Sequence, residues 1–330
     1  MKRRAASTIA AAAVTIVLSA LAVRNVHLAG LEAMLAGVLW RWIAVIALLS
    51  LLDLAIRAKR WQVLLSRSGA RPKALELFKL EAIGLAVNNV LFLRLGELAR
   101  AFLAARDLDI AAATALASVA VERALDIAAL LFFFILASFW QPQFVPSSAQ
   151  RIALLALAAA VAALAALAAA EGSLRAGGWC ETALRRWPKA HRLIVQLADG
   201  AAVLRSARQA AAAVALSLAL WGADALIYWA GALALGLGAA IDYPRSVLVL
   251  SWAGAGAALP AAPGGFGTLE AMVKTIVVAF GVSPDAALAY ALFCHMAMYI
   301  IVTVLGLVFL YQVGLSLGEL RAALGRKERA

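Results

Sequence analysis

In the middle of an otherwise apolar run, Arg245 to Phe280, the chain reads Pro260-Ala261-Ala262-Pro263-Gly264-Gly265-Phe266-Gly267-Thr268-Leu269-Glu270. The two prolines stop an arriving helix, the three glycines permit a tight turn, and Thr268 stands where a helix N-cap is expected. The segment therefore predicts two short helical arms joined by a break. A second apolar run, Leu75 to Arg106, is interrupted at Leu93-Arg94-Leu95-Gly96-Glu97. Whether each run crosses a bilayer once, or enters and leaves by the same face, decides the topology.

That a bilayer is involved follows from composition. Of 330 residues, 65% are apolar and 15% charged, against roughly 45–50% and about 25% in soluble chains. Apolar runs of membrane-spanning length recur from Ala5 to Gln312 and leave no block for a separate soluble core. This excludes a soluble enzyme on a membrane anchor. Unbroken spans are expected near Ala5 to Val23, Val38 to Ile56, Ile110 to Ser138, Ala149 to Ala170, Ala210 to Gly236 and Pro284 to Gln312. If both broken runs are hairpins and the N-terminus is inside, the inner segments hold twenty Lys and Arg, with Arg57, Lys59 and Arg60 counted in the loop after the second span. The outer segments keep only Arg24, Arg41, Arg151 and Arg245. This is the bias of the positive-inside rule. A single crossing by each broken run would instead put the seven basic residues from Arg175 to Arg208 outside.

The expectation is one integral domain, 1–330, of the cell (cytoplasmic, inner) membrane. It is an all-α polytopic membrane protein with six transmembrane helices plus two oppositely oriented re-entrant helical hairpins, about 75–106 and 245–280, N-in and C-in. The basic stretch 173–209, with Trp179, Trp187 and Leu193 among its arginines, reads as a cytoplasmic amphipathic segment on the inner leaflet or as an ordinary basic loop. Met1-Lys2-Arg3-Arg4 precedes an apolar stretch longer than the ~7–15 residues of a signal peptide, so a retained first span is expected. The net charge of +12 belongs to these loops. No nucleic-acid reader motif accompanies it. Two distant cysteines, Cys180 and Cys294, make neither a disulfide framework nor a zinc site.

Three spans separate the two hairpins, so they enter from opposite faces as an inverted repeat, an arrangement that carriers use to build a mid-membrane site. Glu97 to Glu122 and Glu270 to His295 both span 25 positions. Charges kept within spans are costly and mark candidate sites. The first hairpin offers Asn88, Asn89, Arg94, Glu97 and Arg100, and the next span Glu122, Arg123 and Asp126, three and four apart on one helical face. One guanidinium and two carboxylates leave a negative balance unless Arg94 or Arg100 approaches. The competing reading is a structural ion-pair knot. In the second hairpin, backbone N–H groups around Gly264, Gly265 and Thr268 suit an anion, and Lys274 could neutralise Glu270 or bind an anionic group itself. Asp224 with Tyr228, and His295 with Tyr299 and Thr303, lie opposite; His295 can relay a proton or simply pack. No metalloprotease, serine-hydrolase or nucleotide-binding motif occurs, so no metal, cofactor or catalytic residue is expected.

Arg60-Trp61-Gln62-Val63-Leu64-Leu65, Asn88-Asn89 with Arg94-Leu95-Gly96-Glu97-Leu98-Ala99-Arg100, Glu122-Arg123-Ala124-Leu125-Asp126 and Pro260 to Glu270 together resemble the flippase-like transmembrane domain of lysylphosphatidylglycerol synthases, which also occurs alone in YbhN-like and hopanoid-associated proteins. Phe92 and Leu93 stand where that family often has a proline, and His295 where it often has an arginine. The resemblance implies movement of a polar-headed lipid between leaflets. Arg94, Arg100, Arg123 and Lys274 would be phosphate ligands, positioned by Glu97, Glu122, Asp126 and Glu270. No acyltransferase-like domain is seen after Gln312, so aminoacyl transfer to lipid, which that domain performs in the larger relatives, is not implied, and the expectation is a protein that is not an enzyme. The implied partners are membrane lipids of anionic or isoprenoid-phosphate type, with homo-oligomerisation left open. Two alternatives stay open: an intramembrane lipid-glycan or lipid-modifying transferase or its membrane subunit, and an ion-coupled carrier of a small anion.

Overall fold

The computed structural model describes residues 15–67, 71–91, 95–175, 187–188, 191, 195, 202–259, 263–315 and 318–319. Among them the chain is entirely helical: α1 (15–23), α2 (Leu28–Ala36), α3 (Arg41–Leu64), α4 (Ala74–Val90), α5 (Gly96–Asp107), α6 (Ala112–Trp140), α7 (Ser147–Arg175), α8 (Ala207–Ala234), α9 (Tyr243–Ala258), α10 (Thr268–Ala279) and α11 (Pro284–Gln312). Most of the amphipathic stretch 173–209 lies outside the described residues, as do Arg94, Pro260 to Ala262 and the first part of the Ala5 to Val23 run.

Helix starts follow local chemistry. Ser283 accepts from the Ala286 N–H at 3.3 Å with Pro284 behind it, and Asp242 accepts from the Arg245 N–H at 2.9 Å with Pro244 behind it. These are side-chain caps with proline in the first turn, where no N–H is lost. Three helices, Ser147–Ala169 within α7, α8 and α11, are long and apolar enough to cross a bilayer, and α2 with α3 makes a fourth candidate bent by 81°. On α7 only 6% of the most apolar window is buried, and side chains such as Leu155 and Ile152 face outward. An apolar helix that buries so little against protein needs lipid as its solvent.

Two features add to or differ from the sequence expectation. Leu28–Ala36, between the first two expected spans, is a helix packed on α11. The second span does not end at Ile56: α3 continues for two more turns, and Arg57 and Arg60 are buried within it. They are not loop charges, because carboxylates described below pair with them inside the bundle.

The two broken runs form antiparallel helical hairpins. In the first, Glu81 meets Arg100, and a Cβ on Gly96 would overlap the Gly84 carbonyl. In the second, a Cβ on Gly256 would come within 2.9 Å of the Thr268 carbonyl. Close arms need small residues at the crossing.

The packing is duplicated. The pairs α3–α4, α4–α5, α5–α6 and α3–α6 recur as α8–α9, α9–α10, α10–α11 and α8–α11, while α4–α11 and α3–α11 recur as α9–α6 and α8–α6. The ranges of α5 and α6 reappear as α10 and α11 after a shift of 172 residues (96 to 268, 112 to 284). The two halves meet along α3 and α8, which run antiparallel: Leu39 N–H bonds to Ala234 O at 2.9 Å at one end, and Arg60 to Ser217 at 3.0 Å further along. Equivalent helices that run antiparallel are related by a two-fold axis across the bundle, which makes the repeat an inverted one. At a shift of 172, the equally spaced pairs Glu97/Glu122 and Glu270/His295 are one residue out of step, and their contacts differ.

Candidate functional site

Charge sits where the helices of the first half converge on α8. Glu122, on α6 and fully buried, is the hub: its Oε1 accepts from Arg60 Nη2 at 2.9 Å and Arg123 Nη2 at 3.1 Å, and its Oε2 from Arg100 Nη2 at 2.8 Å. Arg60 also donates to Asp126 Oδ1 at 2.6 Å, Arg100 donates to Glu81, and Arg123 Nη2 lies 3.0 Å from Asp126 Oδ2. Trp221 donates its indole N–H to Asp126 at 3.1 Å, and the Arg100 guanidinium lies 4.7 Å from the Trp61 ring centre. Three guanidiniums therefore meet three carboxylates in a balanced group. Beside it on α3, Arg57 is shared by Asp53 at 2.8 Å and Asp224 at 3.6 Å, one cation against two acids.

The balance changes the reading of these residues. Glu122, Arg123 and Asp126 do come together, and Arg100 does approach them. Arg100 is buried with both Nη atoms on carboxylates, so its fork is already filled. Arg123 is the open member, 40% exposed at its side chain. Arg94 lies outside the described residues. Glu97 is half-buried, and its Oε2 is a buried acceptor with no hydrogen-bond partner. Sequence reading missed Asp53, Arg57, Arg60 and Glu81. The available signal was the four-residue spacing of Asp53 and Arg57, which marks a pair within a helix rather than a loop.

The second hairpin closes on itself. Gly264, Gly265 and Gly267 have φ of +71°, +76° and +81°, which explains why glycine occupies all three. Gly267, rather than Thr268, is the N-cap of α10; the buried Thr268 hydroxyl donates to Gly265 O at 2.9 Å. The Gly267 N–H, the nearest candidate for binding an anion, is already bonded to Glu270 Oε2 at 2.7 Å. The other Glu270 oxygen lies 2.6 Å from His295 Nδ1, and Phe266 packs on that imidazole at 4.8 Å between ring centres. Lys274 does not turn to Glu270. Its ammonium donates to Ala22 O at 2.8 Å and Arg24 O at 2.6 Å, fixing the end of α1. The hairpins are joined through α4 and α11: Asn89 donates to Thr303 at 2.8 Å, and Tyr299 donates to Asn89 O at 3.3 Å. Asn88 accepts the Gly96 N–H at 2.7 Å and so starts α5. Tyr228 is buried on α8, and its carbonyl accepts from Tyr290.

Between α6 and α9 lies a cavity of about 480 Å³, walled by Ile127, Leu130, Leu131 and Phe134 on one side and by Ser251, Trp252, Gly254 and Ala255 on the other. Ile127 is the residue after Asp126 and one turn beyond Arg123, so one end of this apolar space lies beside the charge network. Ile127, Ala255 and Ala258 are exposed at its rim, and the cavity opens sideways from the bundle. Among the described residues no group of three or more His, Cys, Asp or Glu side chains is arranged to hold a metal ion.

The arrangement is that of an integral membrane protein with polar groups enclosed at depth and an apolar side opening. The family model of the lysylphosphatidylglycerol synthase TM region matches residues 8–306, and the chain belongs to that family. No curated protein and no solved structure gave a match.

Proposed function

We propose that this member of the lysylphosphatidylglycerol synthase TM-region family is a lipid translocase of the inner membrane, which moves a polar-headed, phosphate-bearing lipid between leaflets without altering it chemically. The carrying observation is the cavity, which offers hydrocarbon-like walls to lipid tails and ends beside a network of enclosed charges. In this reading α1, α3, α6, α7, α8 and α11 span the bilayer, α4–α5 and α9–α10 are re-entrant, and both termini are inside. Inverted repeats with broken helices suit a site reached alternately from either side.

Roles follow from pairing. Glu81, Arg100, Glu122, Asp126 and Arg60 hold the frame, and Arg123, with its exposed edge, meets the headgroup. The Gly264–Gly265 turn and Thr268 hold the second hairpin against α4. Leaflet exchange of a fluorescent phospholipid in proteoliposomes tests this. Arg123→Ala should slow exchange roughly ten-fold, the scale of one lost charge-assisted hydrogen bond, and an unchanged rate sinks the assignment. The Glu270–His295 contact favours a variation on this reading, transport coupled to a proton held by that pair. If so, His295→Gln abolishes any dependence of exchange on an imposed pH gradient.

A further inference from the structure

A cation stands next to the end of the α6–α9 cavity remote from Asp126, outside the cavity lining. Phe144 and Pro146, in the turn between α6 and α7, close that end. The Arg245 guanidinium lies 5.9 Å from the Phe144 ring centre and 5.8 Å from that of Phe280, and the two rings pack edge to face at 4.8 Å. Arg245 donates from Nη1 to Ala240 O at 3.0 Å, its Nε is buried without a hydrogen-bond partner, and it makes no ion pair among the described residues. Asp242, its nearest acid in sequence, caps the Arg245 backbone N–H. A cation held beside two aromatic rings, with a buried donor left over, is suited to receive an anionic group.

The cavity is built by sequence. At the equivalent seam, α4–α11, the backbones close up: a Cβ on Gly306 would overlap the Ala82 carbonyl and lie 2.6 Å from Ala86 Cβ. A shift of 172 residues puts Phe134 in the place of Gly306 and Gly254 in that of Ala82. At the α6–α9 seam that position carries a phenylalanine in the cavity wall, and Gly254 faces Leu130. Ser251 is the one hydroxyl in the wall, and it donates to Val247 O at 2.9 Å. The wall is therefore almost wholly apolar and suits hydrocarbon, and the Arg245 guanidinium stands just outside its lining, next to the Phe144 ring.

We propose that the α6–α9 cavity and Arg245 form one lipid site, with a hydrocarbon tail in the cavity and an anionic phosphate headgroup on Arg245. Charge complementarity selects the occupant: a second protein helix would leave the cation unmatched. Under the topology proposed above, Arg245 lies at the outer surface, so the site serves the outer leaflet and marks one end of the translocation path. The proposal rests on that reading for its place in a path, and not for binding.

The test uses the full chain in nanodiscs containing phosphatidylglycerol with a photoactivatable acyl chain. Crosslinked peptides are mapped by mass spectrometry, and leaflet exchange is measured on the same preparations. Wild type should label on α6 and α9. Ala255→Trp and Ala149→Trp, which fill the cavity from different helices, should each remove that label. Arg245→Gln should lower it about ten-fold, as expected for one charge-assisted hydrogen bond, and Arg245→Lys should restore part of it. Label retained in both tryptophan variants overturns the cavity, and label unchanged in Arg245→Gln overturns the anchor; using two filling positions keeps one misfolded variant from deciding the result. Label present as described with no leaflet exchange in wild type leaves the site standing and overturns the translocation reading.

Discussion

Replacing Glu122 by glutamine keeps the shape of the hub and removes its charge. In the native protein its two oxygens accept from three arginines at 2.8 to 3.1 Å, with no exposed surface. Glutamine has one acceptor oxygen and turns two N–H donors toward guanidiniums that are themselves only donors. Arg60 would keep Asp126, and Arg100 would keep Glu81, but the balanced group would carry an uncompensated positive charge. Breaking a buried ion pair on one side costs about 3–5 kcal/mol. At roughly 2–4 °C per kcal/mol for a larger domain, the unfolding midpoint should fall on the order of 10 °C. The assay is thermal unfolding in detergent, followed by intrinsic tryptophan fluorescence, with Glu32→Gln on the exposed face of α2 as the control for a simple change of charge. If Glu122→Gln shifts the midpoint no more than the control, the network is not the frame described above, and Arg100 and Glu122 return as candidates for direct contact with substrate.

Other outcomes follow from the same geometry. Arg57→Met should cost about 3–5 kcal/mol because it leaves Asp53 and Asp224 facing each other without a cation, whereas Asp224→Asn, which relieves a two-to-one excess of acid, should change the midpoint little; chemical unfolding of both variants checks this. Lys274→Met should loosen the end of α1 by about 1–3 kcal/mol, the cost of unsatisfied buried carbonyls, and hydrogen exchange should rise over residues 20–26 while α11 stays protected. Gly306→Ala should destabilise by about 1–3 kcal/mol through overpacking against Ala82 and Ala86, visible in the same thermal assay. A smaller effect of Gly306→Ala than of Gly314→Ala, at a position with φ of +70° and open space around it, would show that the α4–α11 seam is looser than described.

Apolar runs and helix breakers carried most of the fold into the sequence. Pro284 to Gln312 was legible to the residue, because Ser283 and Pro284 fix one end and the apolar run fixes the other. The hairpins were legible because proline and glycine have few other uses within a membrane run. The two extra turns of α3 were not, since a hydropathy window treats Arg57 and Arg60 as polar whether or not a carboxylate waits for them. The same blindness affected the site. Glu122, Arg123 and Asp126 are close in sequence and were found together, but their partners on α3 and Glu81 on α4 are distant in sequence and become neighbours only when the helices pack. The partners of Lys274 in the structure, the Ala22 and Arg24 carbonyls, were not legible because backbone carbonyls are present at every position and leave no mark in sequence.

The duplication of the frame sharpens what the side chains mean. Two halves with the same helix contacts would place the same groups on both sides of the two-fold axis if their sequences were alike. Instead the first half carries the arginine–carboxylate network, and the second carries Glu270, His295 and the aromatic rings around them. One intervening seam closes at Gly306, and the other carries Phe134 at the equivalent position and encloses a cavity. In an inverted repeat, exchanging the conformations of the halves turns an opening on one side into an opening on the other. Here a full exchange would require α4 and α11 to part while α6 and α9 close around Phe134, which must then leave the seam. Phe134→Gly removes that obstacle. The variant should populate a state in which a cysteine pair on the facing walls of the cavity, at Leu131 and Ala255, crosslinks more readily, with lateral labelling of the cavity lost in parallel. Crosslinking no faster than in Phe134 protein would mean that the asymmetry of the two seams is fixed by their backbones, and that lipid passes through this protein without the halves changing places.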